Sequence, residues 1–188
     1  MKNKPTGFAG RQGALGMSLV EVMLAITVLA ILMGLATPAA TTIVQNSRIR
    51  GQAGDLMANL SIARAEAAKR GARVTLCPSN TGTACNTGTL GTAWGQGYLI
   101  FVDIDQDGVV DTGEPVLTVN EALAGNNSLT SNGLTNTPVN VLQFRPSGAA
   151  NVPANVTFKL CDSRSGLFGR TITVSPTGRA TSATTTCP

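Results

Sequence analysis

Gly16-Met-Ser-Leu-Val-Glu21-Val-Met-Leu-Ala-Ile-Thr-Val-Leu-Ala-Ile-Leu-Met-Gly-Leu-Ala36 decides how the rest of the chain is read. Apart from Glu21 it is an uninterrupted apolar run. From Met17 to Ala40 is 24 residues, ~36 Å of helix at ~1.5 Å per residue, enough for a ~30 Å hydrocarbon core. Lys2, Lys4 and Arg11 precede it with no acid among them. That asymmetry predicts a cytoplasmic leader and sends everything beyond Ala40 outward.

An ordinary secretory signal, cut near Leu35-Ala36 or Ala39-Ala40, is the competing reading. Glu21 argues against it, because a carboxylate inside an apolar run is costly and usually signals a partner. If the chain is cut after Gly16, Met17 gains a free amine. Glu21 of one subunit can then meet the Met17 ammonium of a neighbour inside a helical bundle.

Gly16-Met17-Ser18-Leu19-Val20-Glu21 followed by an apolar helix resembles the cleavage and assembly signature of type IV prepilins and type II secretion pseudopilins. The resemblance implies cleavage between Gly16 and Met17 by a prepilin peptidase, then N-methylation of Met17. Met17 stands where the family usually has Phe. Further stretches are similar to the H-type pseudopilins and the FimT/FimU-type minor pilins: Ala63–Arg70, Val74–Pro78, Trp94–Asp103, Phe144–Gly148 and Val174–Arg179. With the amino terminus they cover nearly the whole chain in order.

The helix does not end at Ala40. Pro38 cannot donate to the Gly34 carbonyl, which makes a weak point. In pilin-like proteins a proline here lets the helix loosen during assembly, a role the resemblance implies for Pro38. Beyond it, Ile49, Ala53, Leu56, Leu60, Ala63 and Ala67 recur at helical spacing and make one face. Arg48, Arg50, Asp55, Arg64, Glu66, Lys69 and Arg70 lie opposite, and Gly71 reads as the stop.

From Ala72 the pattern changes to short β-like runs: 73–77, 98–102, 115–119, 139–144, 156–160 and 171–175. The polar stretches 78–93 and 120–138 read as surface loops. The expected fold is therefore α+β, a long N-terminal transmembrane and amphipathic helix packed on a small antiparallel β-sandwich. The expected organisation is a leader over 1–16, a membrane half of the helix over 17–40, an amphipathic half over 41–71 and an exported β-rich domain over 72–188.

Composition narrows the function. The 188 residues include no histidine, which removes the commonest general base and the Ser–His and Cys–His pairs. Ser147 and Ser175 have no evident base, so an enzyme is not expected. The net charge of +4 is mostly the leader's: residues 1–16 supply +3, and the other 172 carry 11 bases against 10 acids.

Cys77, Cys85, Cys161 and Cys187 all fall on the exported side, where an oxidising compartment permits disulfides. Of the three pairings, the local one, Cys77–Cys85 with Cys161–Cys187, is expected. It would pin a loose Thr/Ala tail to the sheet.

Two further patterns carry chemistry. Asp103, Asp105, Asp107, Gly108, Asp111 and Glu114 match the D-x-D-x-D-G-x5-E spacing that suits Ca²⁺. The flanking runs look like strands rather than EF-hand helices, so a solvated hairpin turn is the alternative. Residues 145–179 hold five bases against Asp162, and Arg164, Arg170 and Arg179 are the candidates for holding DNA phosphates. Some FimT-type minor pilins bind DNA during natural transformation through a Gly-Arg-x-Arg motif. Gly178-Arg179-Ala180-Thr181 lacks its second arginine.

The resemblance thus implies a non-enzymatic minor pilin or pseudopilin of the inner membrane with a periplasmic C-terminal domain. Its partners would be other pilins, the prepilin peptidase and an inner-membrane assembly platform. It leaves open a type II secretion pseudopilus or a type IV pilus.

Overall fold

A helical stripe and a set of alternating strands must find each other to bury their apolar faces, and in the computed structural model they do. The structure describes residues 16–86, 93–134 and 140–188, without the side chains of residues 35–40. The expected leader up to residue 15, the side chain of Pro38, and Val139 lie outside the described residues. The chain divides into two units, Met1–Thr42 and Ile43–Pro188.

Helix α1 runs Leu19–Arg70. In the second unit Ile49, Ala53, Leu56, Leu60, Ala63 and Ala67 are all buried, as the spacing predicts. Gly71 ends the helix with φ +64, a left-handed position that favours glycine, and its N–H bonds the Ala67 carbonyl.

Eight strands follow among the described residues, in two antiparallel sheets. The first has the order β3 (Val116–Asn120), β2 (Tyr98–Asp103), β1 (Arg73–Pro78), β5 (Leu142–Phe144). The second has the order β4 (Ser128–Asn132), β6 (Val156–Cys161), β7 (Gly166–Val174), β8 (Ala180–Cys187).

One core joins the helix stripe to both sheets. Val74, Leu76, Ile100 and Phe144 come from the first sheet and Val156, Phe158, Leu160 and Ile172 from the second. Trp94, in a short 3-10 turn, meets Phe158 edge-on at 4.9 Å between ring centroids. A second, smaller core lies on the other face of the first sheet. There Cys77, Leu99, Phe101 and Val141 are covered by Cys85 and Val110. Strand β2 is consequently buried on both faces.

Three expectations are corrected. Residues 120–138 are not all loop, because Ser128–Asn132 forms β4, with Leu129 alone buried deeply. The carboxyl-terminal tail is strand β8, paired from Ala180 to Cys187 with β7. Strand β7 begins at Gly166 rather than near Thr171. Both disulfides, Cys77–Cys85 and Cys161–Cys187, are present. Loop closure by them is worth ~2.5 and ~3.5 kcal/mol respectively.

Among the described residues no helix is long and apolar enough to cross a membrane. The apolar stretch with described side chains, Leu19–Gly34, gives ~24 Å of helix against a ~30 Å hydrocarbon core.

Candidate functional site

The amino-terminal unit is built around the start of α1. Gly16 and Met17 precede the helix and are exposed. Ser18 caps it: its Oγ accepts from Val20 N at 3.3 Å, and its carbonyl accepts from Glu21 N and Val22 N. Glu21 therefore sits in the first turn, where a carboxylate favours the positive end of the helix dipole.

Around it the helix is apolar on every side. Leu19, Val20, Met23, Leu24, Ile26, Leu29, Ile31 and Leu32 are all exposed. Thr27 satisfies its hydroxyl by donating to the Leu24 carbonyl at 2.8 Å. A helix apolar all round requires lipid or other helices about it. Glu21 is the sole charged side chain from Gly16 to Gly34.

The acidic loop is a hairpin connection between the antiparallel strands β2 and β3, as the flanking strand patterns suggest, and it is tied down at several points. Asp103 is fully buried, and its Oδ2 accepts from Thr75 Oγ1 at 2.6 Å and Gln143 Nε2 at 2.8 Å. Glu114 closes the loop by accepting from Ile104 N and Asp111 N. Asp105 and Asp107 each accept a backbone N–H two residues on. Gly108, at φ +81, lies against the sheet, where a Cβ would stand 3.3 Å from Val141 Cγ2. The loop thus covers the smaller core, with Asp105, Asp107 and Asp111 turned to solvent.

The three candidate arginines for holding phosphate are in different situations. Arg164 donates twice to Asp162 Oδ2, at 2.6 and 2.9 Å, and once to Asn46 Oδ1 at 3.0 Å. Its guanidinium stacks 4.2 Å over the Phe168 ring. Burial pushes the Asp162 carboxyl up, but hydrogen bonds from the Arg164 side chain and N–H, with its charge, hold it below the ordinary value. Arg170 lines a groove with Arg50, whereas Arg179 lines another with Arg64. Arg164 is tied to its own domain, and the other two lie in separate grooves.

Sequence reasoning missed Thr75 and Gln143, which hold Asp103. A polar residue within the apolar run Val74-Thr75-Leu76 was the available signal. It also missed Asn59, whose Nδ2 donates to Tyr98 Oη at 2.8 Å and Asn120 Oδ1 at 2.9 Å. Burial pushes the Tyr98 hydroxyl up to about 12.

An N-terminal helix of this kind, with two antiparallel sheets after it, defines the architecture of a pilin-like subunit. The family model described as type II transport protein GspH matches residues 52–178, and one described as the prokaryotic N-terminal methylation motif matches residues 11–37. The chain belongs to the type II transport protein GspH family, a family of structural subunits rather than enzymes.

Two crystal structures of the Pseudomonas aeruginosa (strain PAO1) type IV minor pilin FimU are similar to it, both at 20% identity. One, in space group P65, matches over 71% of this chain and 91% of that one with a TM-score of 0.51. The other, in space group P21, matches over 78% and 92% with a TM-score of 0.53. At that identity the likeness is one of fold. A comparison with the curated proteins finds no match.

Proposed function

We propose that the chain is an inner-membrane precursor whose leader, residues 1–16, is removed by a prepilin peptidase between Gly16 and Met17. Met17 is then N-methylated, and the subunit joins or primes a filament of other pilins on an inner-membrane assembly platform. The filament is a type II secretion pseudopilus or a type IV pilus. The globular part is periplasmic.

The observation that carries this reading is the exposed, predominantly apolar start of α1 with Glu21 as its one charge up to Gly34. Cleavage would place an ammonium at Met17, directly before the Ser18 cap. That cation would stand at the positive end of the helix dipole, which disfavours it. Glu21 of a neighbouring subunit supplies the compensating charge, so the pair fixes register while helix packing replaces lipid contacts. Pro38 gives the helix the freedom to adjust. The match of residues 11–37 to the methylation motif supports the processing step.

Mass spectrometry of the mature chain recovered from the envelope tests this. The expected amino terminus is Met17 carrying one methyl group. A chain starting at Thr37 or Thr41 contradicts the proposal.

A further inference from the structure

The β2–β3 loop has no part in the proposed filament assembly, yet Asp103, the last residue of β2 where that loop begins, holds an unsatisfied buried oxygen. Asp103 Oδ1 is buried and has no hydrogen-bond partner among the described residues, while Oδ2 is held by Thr75 and Gln143. A buried carboxylate oxygen without a donor or cation is costly. Arg73 stands opposite Asp103 in the β1–β2 register, but its guanidinium donates to Gln143 Oε1 at 3.3 Å. From residue 103 to 121 there are six acids and no base.

Asp103, Asp105 and Glu114 each bring a carboxylate oxygen within 4.8 Å of the other two, as do Asp105, Asp107 and Asp111. The hydrogen bonds from Ile104 N and Asp111 N to Glu114 leave its oxygens further lone pairs, since each carboxylate oxygen has two. The alternating spacing and the orphaned Asp103 oxygen are separate observations, and both ask for a hard cation.

We propose that Asp103, Asp105 and Glu114 bind one Ca²⁺ ion, with Asp107 and Asp111 approaching from the solvent side. Ca²⁺ accepts six to eight oxygens in flexible geometry, whereas Mg²⁺ demands a near-ideal octahedron and retains its waters. A set of five carboxylates, with Asp103 buried, Glu114 half-buried and the other three exposed, suits the former. The ion satisfies Asp103, offsets the repulsion between the acids, and fastens the loop over Phe101 and Val141. Its role is to stiffen the globular domain.

The test is calorimetry and thermal unfolding of the full chain in detergent micelles, titrated with CaCl₂ and separately with MgCl₂. One Ca²⁺ binds per chain, and Tm rises by about 5–10 °C at a hundredfold excess over Kd. Asp105→Asn and Glu114→Gln each weaken Ca²⁺ binding at least tenfold, while Glu121→Gln, outside the cluster, leaves it unchanged. Absence of heat and of any Tm shift at millimolar Ca²⁺ overturns the proposal. So does an equal shift with Mg²⁺, or one retained in the folded Asp105→Asn or Glu114→Gln chain, since either marks general screening of the acids.

Discussion

Arg164 and Asp162 lie two residues apart, and neither presents its charge freely to solvent: their side chains are 17% and 4% exposed. The pair makes a pH prediction. Because the Asp162 carboxyl is lowered in the folded state, its contribution is complete above the unfolded value of about 3.9 and is lost as pH falls through the lowered folded value. Melting temperatures measured from pH 7 to pH 2 should therefore converge between wild type and Asp162→Asn at the acid end. A constant gap across that range contradicts this. At neutral pH the substitution removes charge-assisted hydrogen bonds worth about 1–3 kcal/mol. By sequence Arg164 is only a candidate for phosphate binding, since net charge over 145–179 counts bases without seeing which one an acid already holds. Glu21 was legible for the opposite reason: nothing within the apolar run could partner it.

The elements divide by how much of their signal is their own. The buried stripe Ile49–Ala67 could be read directly, because a 3.6-residue period is a property of the helix itself. Leu60, 1% exposed within that stripe, provides a check. Leu60→Ala should destabilise the domain by about 2–5 kcal/mol in denaturant unfolding, with m unchanged. A loss below 1 kcal/mol would mean that the stripe does not pack as described. Strands β4 and β8 could not be read so directly. Ser128–Asn132 offers one apolar side chain to the core, and Ala180–Thr186 is Thr, Ser and Ala, exposed or half-exposed throughout. Both are strands because β6 and β7 supply partners, and pairing overrides weak propensity. The second core was hidden for a related reason. Leu99 and Phe101 read as the continuation of one apolar strand, and only the returning Cys85 and Val110 segments show that the other face is covered too.

At the scale of the whole molecule, the two units call for different surroundings. Residues from Ile43 onward bury their own core, close it with two disulfides and can meet water. The described start of α1 buries none of its large apolar side chains, and Glu21 is its only charge. In the function proposed above, lipid and then a bundle of like helices would surround the start of α1 in turn, with Glu21 setting the register. The most direct test is incorporation of Glu21→Gln into sheared filaments or pseudopili, quantified by immunoblot against total cellular chain. The proposed register-setting role of Glu21 predicts normal precursor levels and cleavage after Gly16, with incorporation reduced at least tenfold, equivalent to about 1.4 kcal/mol or more. Undiminished incorporation of the uncharged variant would contradict it.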